Sequence, residues 1–160
     1  MFTLKHINPL YYAIFFLGLW LLLNFIVSRL TGWTQMAAHY RNAGGFPEKV
    51  WRFQTIRTRW GMGYKGCTNV GVDSRGLHFS FGFLFRFGHP PLFVPWGDIT
   101  ITEKQILKLK VLELRFRKTE DLPVRIFAEL GDRLAQAAGS NWPSIGPDPT
   151  SSQHPRSGWA

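Results

Sequence analysis

Residues Pro9 to Ser28 read PLYYAIFFLGLWLLLNFIVS, twenty positions with no charge and one amide, Asn24. At about 1.5 Å per helical residue this run reaches roughly 30 Å, the thickness of a bilayer's hydrocarbon core. A buried helix of a soluble protein seldom goes so far without a charge, and a chain of 160 residues has little core to hide one. A cleaved signal peptide has a shorter apolar region and small residues at its cleavage site. Here the run leads through Arg29 and Leu30 to Thr31, Gly32 and Trp33, with no such step. The sequence therefore predicts a retained transmembrane anchor, with residues 1–32 as span and flanks. Tyr11, Tyr12 and Trp33 stand near its ends, where amphipathic rings favour the headgroup level.

The net charge is +9, and part of it is concentrated just past the anchor. Arg41, Lys49, Arg52, Arg57, Arg59 and Lys65 face a single acid, Glu48, over that stretch. Basic residues beside a membrane helix contact anionic headgroups, at about 1 kcal/mol each. Arg41, Lys49, Arg52, Arg57 and Arg59 are the membrane-surface candidates, and the lipid bilayer is the first expected partner. The excess of Lys and Arg after the span, against Lys5 before it, places the following domain on the cytoplasmic side. A single cysteine, Cys67, fits a reducing compartment. No recognition helix, zinc spacing or aromatic RNA-binding signature accompanies the charge, so nucleic acid is not an expected partner.

Beyond the anchor, Trp33, Met36, Ala37 and Tyr40 recur at helical spacing, with Thr34 as a cap. Residues 33–45 read as an interfacial helix and linker, rings towards lipid. Residues 46–139 carry the signals of strands. Trp51–Trp60 and Cys67–Val72 are strand runs, and Asp73-Ser74-Arg75-Gly76 has turn chemistry. Phe79, Phe81, Phe83, Phe85 and Phe87 alternate with smaller or polar residues, and Gly82 breaks the run into a hairpin of 77–81 and 83–87. Leu92–Trp96 and Asp98–Ile101 resume the sheet after His89-Pro90-Pro91. Ile106–Arg117 alternates with a change of phase that predicts a bulge near Val111-Leu112. A turn at 118–121 leads to Pro123–Ile126, a final short strand or the lead into a helix. Phe127–Ala138 is an amphipathic helix ended by Gly139. Residues 140–160, rich in Pro, Ser and Gly, read as a disordered tail.

Gly76–Ile99, GLHFSFGFLFRFGHPPLFVPWGDI, resembles the middle of a bacterial pleckstrin-homology-like or GRAM-like domain. Val94, Pro95, Trp96, Asp98 and Ile99 carry its Val/Ile-Pro-Trp-x-Asp/Glu-Ile step. The whole chain resembles small single-pass bacterial membrane proteins with a Gly-Trp step (Gly32-Trp33) after the anchor. The resemblance implies a mainly β fold: one N-terminal transmembrane helix, then a split barrel of two sheets capped by the C-terminal amphipathic helix. It implies a bacterial inner membrane as the location. The stretch between the first two strands lacks a basic inositol-phosphate-binding motif, so phosphoinositide recognition is not expected.

Catalytic patterns are weak. Gly61–Gly66 matches G-x-G-x-x-G, but a strand rather than a helix follows, and Phe81 stands where an acid belongs, so it reads as a flexible loop. Cys67 has no His locally united with it and reads as structural. His6, His39, His78, His89 and His154 show no metal-ligand spacing, and no carboxylates pair. No catalytic residue, metal or cofactor is expected. Trp96 reads as a core anchor. Arg86 and His89, beside the Pro-rich bend, are the candidates for touching a ligand or protein partner. The expected function is a non-catalytic, membrane-tethered interaction module that docks a partner or senses the anionic surface. The alternatives are an accessory subunit of a membrane complex and, less supported, an enzyme of headgroups or envelope precursors.

Overall fold

The computed structural model describes residues 8–58 and 61–146. Helix α1 spans Pro9–Leu30. Asn8 opens it by accepting a hydrogen bond from the Leu10 amide at 3.1 Å, and Pro9 sits where no donor is needed. Among the described residues it is the one helix long and apolar enough to cross a membrane. Only Asn24 and Ser28 of this helix are buried. Its large apolar side chains face outward, so α1 is not a core helix.

Gly32 turns the chain with a left-handed φ of 79°, and a Cβ there would meet Leu122 at 2.6 Å. Helix α2, Trp33–Tyr40, follows directly. The spacing predicts this helix, but the stripe points away from the expected side. Trp33, Met36, Ala37 and Tyr40 are buried in the core rather than laid on lipid. Trp33 meets the Phe81 ring at 4.7 Å, and Tyr40 donates to Asp98 at 3.1 Å. A domain this small needs its largest rings inside. Thr34 caps nothing; its hydroxyl meets that of Ser28 at 2.8 Å.

The strands are β1 Lys49–Arg57, β2 Gly63–Val72, β3 Gly76–Phe81, β4 Leu92–Pro95, β5 Ile99–Ile106, β6 Leu109–Phe116, β7 Thr119–Phe127 and β8 Ile145–Gly146. They form one open sheet in the order β4-β3-β2-β1-β7-β6-β5-β8, not the two sheets expected. Strand β1 joins its halves. It pairs with β2 from Lys49 to Arg57 but with β7 only at Ile56–Ile126 and Arg57–Arg125. Two register shifts, and a φ of 57° at Phe53, bend β1 just before that junction. Helix α3, Ala128–Ala138, lays Leu130, Leu134 and Ala138 on the core and ends at Gly139, φ 58°. A Cβ on Gly131 would stand 2.3 Å from Leu112, so its missing side chain lets α3 close on β6.

Several expectations are corrected. Residues 83–87 are not a strand; Phe83–Phe85 form a short 3-10 turn, and β3 pairs with β4 instead. No bulge stands at Val111-Leu112, where the β5–β6 register is unbroken; the irregularity lies between Leu114 and Phe116 on the β7 side. The phase change reflects burial on both faces of β6, Leu112 and Leu114 on one and Val111 and Glu113 on the other. Gly63–Gly66 belong to β2 rather than to a loop. The tail is ordered at its start. Ile145 and Gly146 pair in parallel with Ile101 and Thr102, and Trp142 packs on Trp96 with ring centres 5.9 Å apart. Trp96 is half-buried, its indole donating to the Asp73 carbonyl. Residues 147–160 lie outside the described residues.

The Glu113 carboxylate is fully buried and lies 3.1 Å from Lys104, 2.8 Å from Arg115 and 2.9 Å from Arg125. Burial alone pushes its pKa up, but hydrogen bonds from Arg125, Arg115 and Lys104 outweigh it and hold the group below its ordinary value. The stability this contributes is present above the unfolded pKa, about 4.3, and is lost as pH falls through the folded value. Glu113→Gln is expected to cost about 2–3 kcal/mol at neutral pH, below the upper range for a broken buried pair because Arg115 and Arg125 reach water. Denaturant unfolding of both forms should show that gap narrowing below about pH 4.

Candidate functional site

The C-terminal half of α1 does not stand free of the sheet. The segment between β3 and β4, residues 82–91, lies along it. The Trp20 indole donates to the Leu84 carbonyl at 3.3 Å and packs on the Phe85 ring at 5.5 Å. The Ser28 hydroxyl donates to the Gly88 carbonyl, and the Trp33 indole to that of Pro90 at 3.0 Å. Gly88 makes the approach feasible. Its φ is 83°, and a Cβ would lie 3.4 Å from the Asn24 carbonyl and 3.5 Å from the Phe25 Cα. This contact buries Asn24, whose amide donates back to the Trp20 carbonyl at 2.9 Å. Asn24 thus serves its own helix.

His89 locks the base of this seam. Its Nε2 lies 2.8 Å from the Tyr64 hydroxyl and its Nδ1 3.1 Å from the Phe85 carbonyl. A carbonyl only accepts, so Nδ1 carries the proton and Nε2 accepts from Tyr64 in the neutral ring. The Thr31 hydroxyl, at the end of α1, sits 2.5 Å from the Tyr64 oxygen and 2.8 Å from the Val27 carbonyl. The Trp33, Tyr64 and Phe81 rings enclose the group. Burial pushes the Tyr64 hydroxyl up to about 12, and burial likewise lowers His89 below its ordinary pKa, against the pull of the Phe87 and Phe85 carbonyls. His89 is therefore a structural group in the seam, not the exposed contact residue that the sequence suggests.

Arg86 fares differently. It is exposed and lines, with Arg52, a groove of about 570 Å³ over the outer face of β1–β3. Phe53, Phe83, Glu48 and Asn69 complete the part that matters here. Neither arginine forms an ion pair among the described residues. The other basic candidates do not join them. Arg41 bridges to Leu92, Lys49 starts β1, and Arg57 lines a separate cleft of about 230 Å³ with Arg125 and Leu107. Arg59 lies outside the described residues.

A second buried polar set surrounds His78, with Asp73 at 3.0 Å on Nε2 and Asn42 at 3.3 Å on Nδ1. Asp73 also accepts from the Arg75 and Gly76 amides and so ties the β2–β3 turn. His78 stands opposite Gly71, and Cys67 is four residues further along β2, about 13 Å away. The two therefore form no thiol–imidazole pair. Burial pushes the Cys67 thiol up. No group of three or more metal-ligating side chains occurs among the described residues.

Comparison with family models and with curated proteins finds no match to this chain.

The sequence reading missed Ser28, Thr31 and Tyr64. Ser28 and Thr31 are three apart at the end of an apolar helix, a spacing that puts both on one face, and that was the available signal. Tyr64→Phe leaves His89 without its donor and should cost about 1–3 kcal/mol in unfolding experiments. Because the folded ring is held neutral, the unfolded chain takes up the extra proton below about pH 6.5, and the His89 contribution present above that value is lost on acidification. Melting of the full chain from pH 7.5 to 5.5 should show this drop, and His89→Gln should remove it.

Proposed function

We propose that the protein is a non-catalytic, membrane-tethered surface module in which α1 spans the bilayer and the β domain reads the anionic surface beside it. The observation that carries this reading is the convergence of Arg52 and Arg86 in one groove, both without carboxylate partners among the described residues. A phosphate-bearing headgroup is the matching ligand, since guanidinium forks bind such oxygens in pairs. Phe53 and Phe83, 75% and 78% exposed, flank the arginines with apolar surface of the kind that favours acyl chains over water.

The outward apolar faces of α1 support the spanning role, because such a surface in water is costly. The excess of basic residues after α1 supports a cytoplasmic position for the domain, in a bacterial cell membrane. A pleckstrin-homology-like fold is supported by the strand order. A four-strand meander and a three-strand meander meet at the bent β1, and a helix follows the last strand. In that reading the bend in β1 marks the corner between the two sheet halves. The separation of Cys67 from His78 favours binding over catalysis.

Native mass spectrometry of the full chain, released from bilayers of mixed phosphatidylcholine and phosphatidylglycerol, tests the headgroup role. The wild type is expected to retain phosphatidylglycerol. Arg52→Glu with Arg86→Glu should lose at least about 2 kcal/mol, or roughly thirtyfold in affinity, at about 1 kcal/mol per basic residue removed. Equal retention of both lipids by the wild type would refute the reading.

A further inference from the structure

We infer that the 82–88 loop is a second membrane-inserted element, dipping its Phe83, Leu84 and Phe87 side chains into the acyl region beside α1. The inference rests on α1 spanning the bilayer and adds what that requires of the loop.

The argument is one of depth. Leu84 is bonded to Trp20, and Gly88 lies against Asn24 and Phe25. Trp20 is eight residues before Ser28, the end of the apolar run, so the loop tip lies about 12 Å along the helix from that end. Helical side chains lean towards the N-terminus, which takes the Trp20 indole no closer to the end. Were the water boundary at Trp20 instead, Pro9–Leu19 alone would have to cross. Those eleven residues reach about 16 Å, roughly half of a hydrocarbon core. Sliding the helix further in would draw Asn8, His6 and Lys5 into the core. A spanning α1 therefore carries the loop into the bilayer with it.

The loop has the chemistry for that place. Phe83, Leu84 and Phe87 are 78%, 65% and 59% exposed, left largely uncovered by the described residues. Non-helical backbone enters hydrocarbon only when its polar groups are satisfied by protein. The carbonyls of Gly82, Phe83 and Arg86 accept from the amides of Phe85, Arg86 and His89. Those of Leu84, Phe85 and Gly88 accept from Trp20, His89 and Ser28. Six of the seven carbonyls from Gly82 to Gly88 are thus supplied from within the chain, where a loop in water leaves several to solvent, while the amides of Phe83, Leu84, Phe87 and Gly88 have no acceptor among the described residues and limit how deep the backbone itself sits. The one charge in the loop, Arg86, lines the groove with Arg52, where its long stem can carry the guanidinium to the headgroups.

The test uses the full chain with Cys67→Ser, reconstituted in phosphatidylcholine/phosphatidylglycerol vesicles. Single cysteines are placed at Leu84 in the loop, Phe16 in α1 and Ser74 in the β2–β3 turn, and spin-labelled. Relative accessibility to oxygen and to a water-soluble nickel chelate reads depth. The 84 label is expected to favour oxygen as the 16 label does, and the 74 label to favour nickel. In a second readout, the 84 thiol should resist a membrane-impermeant maleimide in vesicles opened to both faces and react in denaturant. A nickel-accessible 84 label with a lipid-exposed 16 label overturns the inference while leaving the anchor intact. Nickel accessibility at both overturns the spanning role of α1 and the inference together.

Discussion

The seam between helix and sheet depends on one requirement: buried polar groups must find partners without water. Tyr64, on β2, meets it from the sheet side, and Thr31 and Ser28 meet it from the helix side. His89 stands between them and ties the loop to β2. Remove this exchange and Thr31, Tyr64 and His89 are all left short of partners in a place that water reaches poorly. With it in place, the end of α1 becomes part of the domain rather than a flexible leash.

The same requirement explains the direction of α2. Gly32 turns the chain in a left-handed conformation, and α2 begins at the next residue. It falls on the core, where Trp33 donates to Pro90 and Tyr40 joins Asp98 and Lys118. The two helices thus clasp residues 88–91 between them and the sheet. Arg86, at the far end of the same loop, reaches the groove that also holds Arg52. The apolar helix, the seam and the candidate groove are joined through the 82–91 loop, which is the physical basis for treating them as one unit.

Much of this was legible in the residues. The apolar run, the helix at 33–40, the Asp73–Gly76 turn, most strands and the closing helix all carry local signals, periodicity or turn chemistry, that tertiary packing respected. Packing decided the rest. The Phe83–Phe87 alternation reads as a strand, but those residues have no strand partner and lie along α1, a contact far away in sequence. The β6 phase change reads as a bulge because alternation reports one buried face, whereas Val111, Glu113 and Leu114 are all covered. Arg52 and Arg86 were visible as separate candidates, but only the β1–β2–β3 pairing brings them to one groove. His89 looked like an exposed loop residue because nothing local announces Tyr64 as its partner.

The central claim is that the apolar helix and the sheet move as one body. Double electron–electron resonance between spin labels at Tyr12 in α1 and Ser74 in the β2–β3 turn measures it directly, with the full chain in bilayers. A rigid seam predicts a single narrow distance distribution, which broadens in Tyr64→Phe. A broad distribution in the wild type, unchanged by that substitution, would mean a domain swinging on a tether and would contradict the account.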